Sequence, residues 1–198
     1  MGIAERKLRQ KENVRAAILS AACSMAQEEG WQSLSIRKIA EAIEYSVPVI
    51  YEHFENKEAI LLEISKEGFR ELEKKLEQAR KRSTDPEEQL KALADAYWNF
   101  AFRNPEFYQL MYGLGIPCCG AGKMKTEFTA FSDLMIGAIK AIIKKKKSNP
   151  EDACFKYQAL WSVLHGLISI VMMRKSDIAD GMNKKMMDDV VNAFIKNL

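Results

Sequence analysis

The sequence predicts an all-α protein of about nine helices, and three observations carry that expectation. Apolar residues recur three and four positions apart along most of the 198 residues. No stretch alternates apolar and polar residues as a half-buried strand would. Proline marks three element boundaries, at Pro86, Pro105 and Pro150, each behind an Asp or Asn that can cap a helix. No internal repeat or low-complexity linker breaks the pattern.

Taken in order, Val14, Ala17, Ile18, Ala21, Ala22 and Met25 place a first helix over residues 12–29, closed by Gly30 as a left-handed cap. Ser35 caps a second helix that turns Ile36, Ile39, Ala40 and Ile43 inward. Ser46 caps a third, with Pro48 in its first turn, where no helical hydrogen bond is lost. Asn56 caps a long fourth helix, about 57–82, whose apolar row is Ile60, Ile64, Phe69, Leu72 and Leu76. Asp85-Pro86 with Glu88 forms a capping box that opens a helix to about Phe102. Asn104-Pro105 opens a short helix to about Tyr112, and GLGIPCCGAG, residues 113–122, is a loop by composition. Three helices complete the chain: about Lys123 to Lys147, Asn149-Pro150 to about Arg174, and about Asn183 to Leu198.

Composition narrows the function classes. Apolar residues at 47% and charged residues at 29% suit a globular protein with a sizeable core. MGIAERKLRQ leads into charge and not into an apolar run, so no signal peptide is expected. WSVLHGLISIVMM, residues 161–173, is too short to span a bilayer, so no membrane partner is expected. Cys23, Cys118, Cys119 and Cys154 lack metal spacing, and reduced thiols in a cytoplasm are the expected state. Cys118-Cys119 has nothing cationic fixed beside it to lower a thiol pKa, so no redox role is expected. A Ser or Cys nucleophile would need a histidine partner, and the two histidines, His53 and His165, sit in unrelated helical contexts. No glycine-rich phosphate loop or metal cluster appears, so neither catalysis nor a cofactor is expected.

Net charge is only +3, and eight Lys/Arg balance eight Asp/Glu from Met1 to Lys57. A nucleic-acid reading must therefore rest on where the cations sit. Three short helices with a three-residue turn, Glu44-Tyr45-Ser46, between the second and third satisfy a helix-turn-helix, whose last helix enters the DNA major groove. An ordinary three-helix corner of a bundle satisfies the same spacing. Arg6, Lys7, Arg9, Lys11 and Arg15 lie before the first helix or in its first turn, against only Glu5 and Glu12. That arm can follow a phosphate track or be a solvated tail.

Residues 15–62 resemble the DNA-binding domain of the tetracycline-repressor (TetR) family of bacterial transcription regulators. The matching text is ILSAA, EEGWQSLSIRKIAEAI and SVPVIYEHFENKEAIL, with Ile-Tyr-x-His-Phe-x-Asn-Lys-Glu, residues 50–58, the most specific part. The resemblance implies a homodimeric, ligand-responsive repressor on a pseudo-palindromic double-stranded operator. Its DNA-binding domain would span residues 1–56, and residues 57–198 would hold a small-molecule pocket and the dimer interface. It places Ser35 and Arg37 near a phosphate, Tyr45, Ser46, Val47, Pro48 and Val49 at the recognition-helix entry, and Tyr51, His53 and Lys57 on backbone phosphates. Ile39, Ala40, Ile50 and Phe54 are core by either route. The sequence departs from the family where a turn glycine is usual, since Glu44 stands there and must adopt a left-handed conformation or shift the turn. Val47, Pro48 and Val49 cannot donate bidentate hydrogen bonds to bases, so specificity leans on thymine methyls, Tyr45 and DNA shape.

Beyond residue 86, Trp98, Phe102, Tyr108, Met111, Phe128, Phe131 and Met135 recur at helical spacing and are either plain core or the lining of an apolar cavity. Trp161 and His165 lie one turn apart in WSVLHGLISI, which is similar to a Trp-x-x-x-His-Gly pattern in one TetR subgroup. His165 is either a polar anchor of that cavity or a hydrogen-bonded core histidine. Apolar faces on the last two helices predict a four-helix dimer interface. Lys144 to Lys147 reads as a solvated helix end. The competing function is a DNA-organising or partner-binding protein with the same DNA-binding domain and no ligand.

Overall fold

The structure, a computed structural model, describes residues 2–113, 125–147, 152–174 and 180–198. Among them are nine α-helices and no strand: α1 (Ile3–Glu29), α2 (Ile36–Ala42), α3 (Val47–His53), α4 (Lys57–Arg80), α5 (Pro86–Arg103), α6 (Pro105–Tyr112), α7 (Lys125–Lys146), α8 (Ala153–Met173) and α9 (Asp180–Lys196). A 3₁₀ turn, Trp31–Ser33, follows α1. The loop expected around Cys118-Cys119 and the helix start expected at Asn149-Pro150 lie outside the described residues.

The chain forms two compact units, Met1–Gly68 with Glu106–Lys123, and Phe69–Pro105 with Met124–Leu198. In the first, α1 begins nine residues earlier than the apolar period suggested. Residues 3–11 hold no Gly or Pro and are rich in Glu, Arg, Lys and Gln, which lose little side-chain entropy in a helix. The expected N-terminal arm is thus the first turns of α1. Gly30 ends the helix with φ 80° and ψ 160°, a positive-φ extended conformation in place of the expected left-handed cap, while its N–H closes on the Ala26 carbonyl at 2.9 Å. Val14, Ile18, Ala22, Trp31, Ile39, Ala40, Ile50, Phe54, Ile60 and Ile64 bury together as one core.

Helix α6 belongs to this unit, and two contacts hold it there. The Trp31 indole N–H donates to the Glu106 carbonyl at 2.8 Å, and Leu110 is buried in the same core. At Gly68 of α4 a Cβ would stand 2.7 Å from the Met111 sulfur, so any larger residue there would have to push the Met111 side chain aside. A division at residue 57 follows the helix-turn-helix motif; the packed unit runs further along α4.

In the second unit α5 packs on α7, α8 and α9, α7 on α8, and α8 on α9. Asp85 caps α5 by accepting the Glu88 N–H at 3.2 Å. The reciprocal half of the expected capping box is missing, because the Glu88 carboxylate turns to Lys91 at 2.8 Å. The apolar row of α4 is buried as expected, including Phe69, Leu72 and Leu76.

The turn between α2 and α3 resolves the question raised by Glu44. Tyr45 N–H reaches back to the Ala40 carbonyl at 3.0 Å and Glu44 N–H to the Glu41 carbonyl at 3.2 Å, the paired closure of a Schellman motif with Glu44 at its left-handed position. Glu44 accordingly has φ 58°. A residue with a Cβ pays about 1 kcal/mol there, partly offset by glycine's greater loss of backbone freedom on folding. Glu44→Gly should therefore raise stability by about 0.5 kcal/mol, read as a higher urea midpoint with an unchanged slope. Glu44→Ala should leave the midpoint in place; a gain equal to that of the glycine variant would refute the strain account.

Candidate DNA-binding face

The helix-turn-helix is a surface built around two buried anchors. Ile50 and Phe54 point into the core of the first unit, one turn apart. The exposed side of α3 is carried by Pro48, Glu52 and Tyr51, the last 53% exposed, while Val47 and Val49 are half-buried and pack partly against the core. Tyr45, at 44%, and Ser46 are exposed at the entry to α3. Ser46 occupies the N-cap position without a side-chain cap bond, contrary to expectation; the Val49 N–H is taken by the Ser46 carbonyl at 3.0 Å instead. That leaves the Ser46 hydroxyl turned outward and uncommitted to the helix.

Helix α2 carries the second edge of the face. Ser35 does cap it, accepting the Lys38 N–H at 3.2 Å. Arg37 is exposed and pairs with Glu41 at 2.9 Å, one turn along the same helix. Lys57, half-buried, stands at the start of α4 behind Asn56, whose side chain accepts the Ala59 N–H at 2.8 Å. Among the expected contacts, Tyr45, Val49 and His53 meet along one groove of about 310 Å³ beside α1, completed by Lys7, Gln10, Lys11, Val14 and Glu52.

Arg15 has a different task from the one its place in a basic arm suggested. Its guanidinium donates to the His53 carbonyl at 3.2 Å, pairs with Glu63 at 3.3 Å and lies 4.2 Å over the Phe54 ring. One cation thus ties α1, the end of α3 and α4 together, and it is occupied before any DNA arrives. The His53 ring is half-buried, with Nδ1 out of water's reach and without a hydrogen-bond partner. Sequence reasoning missed this clamp because its partners are distant in the chain. It placed Lys7 and Lys11 in an arm that follows a phosphate track or is a solvated tail, because the helix was expected to start at residue 12.

The residues expected to line a ligand cavity divide between the units. Tyr108 and Met111 sit in the first, Tyr108 with its ring 4.7 Å from Tyr112 and Met111 against Gly68. In the second, Trp98, Phe131 and Met135 are buried, and Trp98 packs on Phe102 at 4.6 Å. Phe131 stacks on Tyr97 at 5.4 Å and meets Tyr157 edge-on at 6.4 Å. Trp161 and His165 stack at 5.1 Å and 15°, and the Tyr97 hydroxyl lies 3.4 Å from His165 Nδ1. The side chain of Phe128 lies outside the described residues. A separate groove, lined by Lys75, Arg82, Asp95, Asn99 and Arg103 among others, contains none of the expected ligand residues.

Residues 18–64 match the family model described as bacterial regulatory proteins, tetR family, and residues 90–194 match the tetracyclin repressor-like C-terminal domain. The chain is 26% identical over 102 residues to the transcriptional activator FasR of Mycolicibacterium smegmatis, covering 52% of this chain and 47% of that protein, so the alignment spans about half of FasR. It is 24% identical over 160 residues to the transcriptional repressor NicS of Pseudomonas putida, covering 78% of this chain and 74% of that one. In structure it is similar to the transcriptional regulator FadR of Bacillus subtilis, solved in complex with stearoyl-CoA, with a TM-score of 0.74 at 17% identity over 92% of this chain and 98% of that one. Among the described residues no helix is long and apolar enough to cross a membrane.

Burial of the His165 ring disfavours its charged form and lowers its pKa below the usual histidine value. The unfolded chain then binds more protons than the folded one as pH falls below about 6.5, so stability should decline from that point and level off below the folded pKa. Thermal melts of the wild type and His165→Asn across that window should show the decline in the wild type alone. An identical slope in both would remove His165 as its cause.

Proposed function

The chain belongs to the tetR family of bacterial regulatory proteins, and from that premise we propose that it is a cytoplasmic, ligand-responsive repressor. It binds a pseudo-palindromic operator as a homodimer and is released by a mostly apolar small molecule. The observation that carries the DNA half is the pose of α3, held from behind by Ile50 and Phe54 with Tyr45, Ser46, Pro48 and Tyr51 in the open. Val47, Pro48 and Val49 meet base edges by apolar contact, and Ser35, Arg37, Tyr51, His53 and Lys57 hold the backbone. Repression is favoured by the longer of the two alignments with named regulators, the one with NicS. In this reading the protein catalyses no reaction.

The dimer half draws on α8 and α9. Their inner faces, through Tyr157, Leu160, Leu164, Ile168, Met187, Val191 and Ile195, are buried within the subunit. Their outer faces are also apolar: Phe155, Val163, Ile170 and Met173 on α8, with Met182 and Met186 on α9, are all exposed. Gly166 lies within the α8 stripe, and a Cβ there would meet nothing within 4 Å, which leaves room for a second helix to come close. Two such pairs related by a two-fold axis make a four-helix interface.

The effector occupies the aromatic cluster of the second unit, among Trp98, Phe102, Phe131, Met135 and Trp161, with His165 and the Tyr97 hydroxyl as polar anchors. The stearoyl chain bound by FadR supports an apolar ligand class. A ligand-free DNA-organising role is the second reading, and the burial of Phe131 and Met135 at 1% and 0% exposure favours it. The two readings part on linkage: an effector that weakens DNA binding must itself be weakened equally by DNA.

Two experiments test the proposal, the first with a duplex selected from a random pool and the second by sedimentation of the protein alone. Tyr51→Phe and Lys57→Ala should weaken binding to the selected and to unrelated duplexes alike, since phosphate contacts carry no base information. A shift in sequence preference at constant overall affinity would assign these residues to base reading instead. Val163→Glu/Ile170→Glu places carboxylates twice in the two-fold interface and should turn a sedimenting dimer into a monomer at micromolar concentration. If the variant stays dimeric, the interface lies elsewhere.

A further inference from the structure

The helix-turn-helix is short of charge for a DNA-binding element. Between Ser35 and His53 the only Lys/Arg are Arg37 and Lys38. Both are already held by carboxylates, Arg37 by Glu41 at 2.9 Å and Lys38 by Glu29 at 2.6 Å. Glu44 and Glu52 in the same span have no ion pair among the described residues. Duplex DNA carries one negative charge about every 1.7 Å, so this surface needs cations from another part of the fold.

Helix α1 brings them. Lys7 and Lys11 are one turn apart, and Val14, three residues on, lies on the same stripe and is buried in the core of the first unit. Val14 thereby fixes the direction of the two lysines, which line the groove beside Tyr45, Val49, Glu52 and His53 of the α3 region. A rise of about 1.5 Å per residue carries Lys7 about 10 Å past Val14 along the edge of the reading face. Both lysines are exposed and neither is ion-paired among the described residues, although Glu52 lines the same groove. Arg15, which continues the basic run, is locked to His53 and Glu63 and is not available in this way.

We propose that Lys7, Gln10 and Lys11 form a phosphate-binding ridge on α1 that grips the DNA backbone alongside α3. The proposal rests on the reading of α3 as the helix that enters the groove. The two ammonium groups and the Gln10 amide donate to phosphate oxygens, offset Glu44 and Glu52, and read no base. The ridge exists only because α1 is helical from Ile3, which holds the lysines at a fixed spacing that a loose tail would lack.

The test is the salt dependence of DNA binding by the full chain and by Lys7→Gln/Lys11→Gln, whose replacements are equally good helix formers. On both a selected and a random-sequence duplex, the slope of log affinity against log salt should fall by about 1.8 per bound subunit, from two lost contacts at about 0.9 each, and so by about 3.6 for the homodimer. Sequence preference should stay as it was. A wild type that binds neither duplex would overturn the DNA reading itself. A wild type that binds, with a double variant of equal slope, would overturn the ridge alone. Amine acylation of the unaltered protein gives a second readout: DNA should protect Lys7 and Lys11 as it protects Lys57, and labelling of the two unchanged by DNA would also overturn the ridge.

Discussion

The pose of α3 depends on Arg15. A helix of seven residues is too short to persist alone in water, so its orientation must come from what it packs on. Ile50 and Phe54 supply burial, which is non-directional and would tolerate some rotation. Arg15 supplies direction, because one planar guanidinium meets the His53 carbonyl, the Glu63 carboxylate and the Phe54 ring face together. A charge-assisted hydrogen bond and a cation–π contact at a half-exposed site contribute about 2 kcal/mol together. That suffices to choose among nearby poses of a short helix, and the whole reading face inherits the choice.

The turn before α3 follows the same economy. Glu44 adopts φ 58° because Tyr45 and Glu44 N–H groups must close on α2 carbonyls for the chain to reverse within three residues. Strain of about a kilocalorie per mole is tolerated there, since the buried cluster of Ile39, Ala40 and Ile50 on either side over-determines the turn. The cap of α3 shows a related trade: Ser46 gives up its side-chain bond, and the backbone alone closes the first turn.

Two levels of polarity separate the units in character. The first unit has a mainly aliphatic core that also encloses Trp31, Phe54 and Ser65, and α6 joins it through the Trp31 indole N–H and the buried Leu110. The second places hydroxyl and imidazole groups among stacked rings, with His165 between Tyr97 and Trp161. A neutral imidazole in such a setting can exchange one hydrogen-bond partner for another at modest cost, which suits an anchor better than a charged group would.

The sequence by itself determined the all-α class, the order of the helices, the caps at Ser35, Asn56 and Asp85, and the core rows of α1, α2 and α4. These depend on local periodicity and on side chains bonding three residues away, which any short window contains. Tyr45, Ser46 and Tyr51 were likewise legible as surface, because Ile50 and Phe54 had to face inward. Only the tertiary structure decided the rest. Arg15 bonds a carbonyl 38 residues along the chain, and Trp31 one 75 residues along, and neither pairing leaves a mark in the local pattern. The early start of α1 was open to view in its breaker-free composition, yet at residues 4–7 nothing more apolar than Ala4 announced it. Which of the cations on α1 is spent on the fold and which is left facing α3 was set by packing: Arg15 lies over Phe54, whereas Lys7 and Lys11 lie beyond the buried Val14.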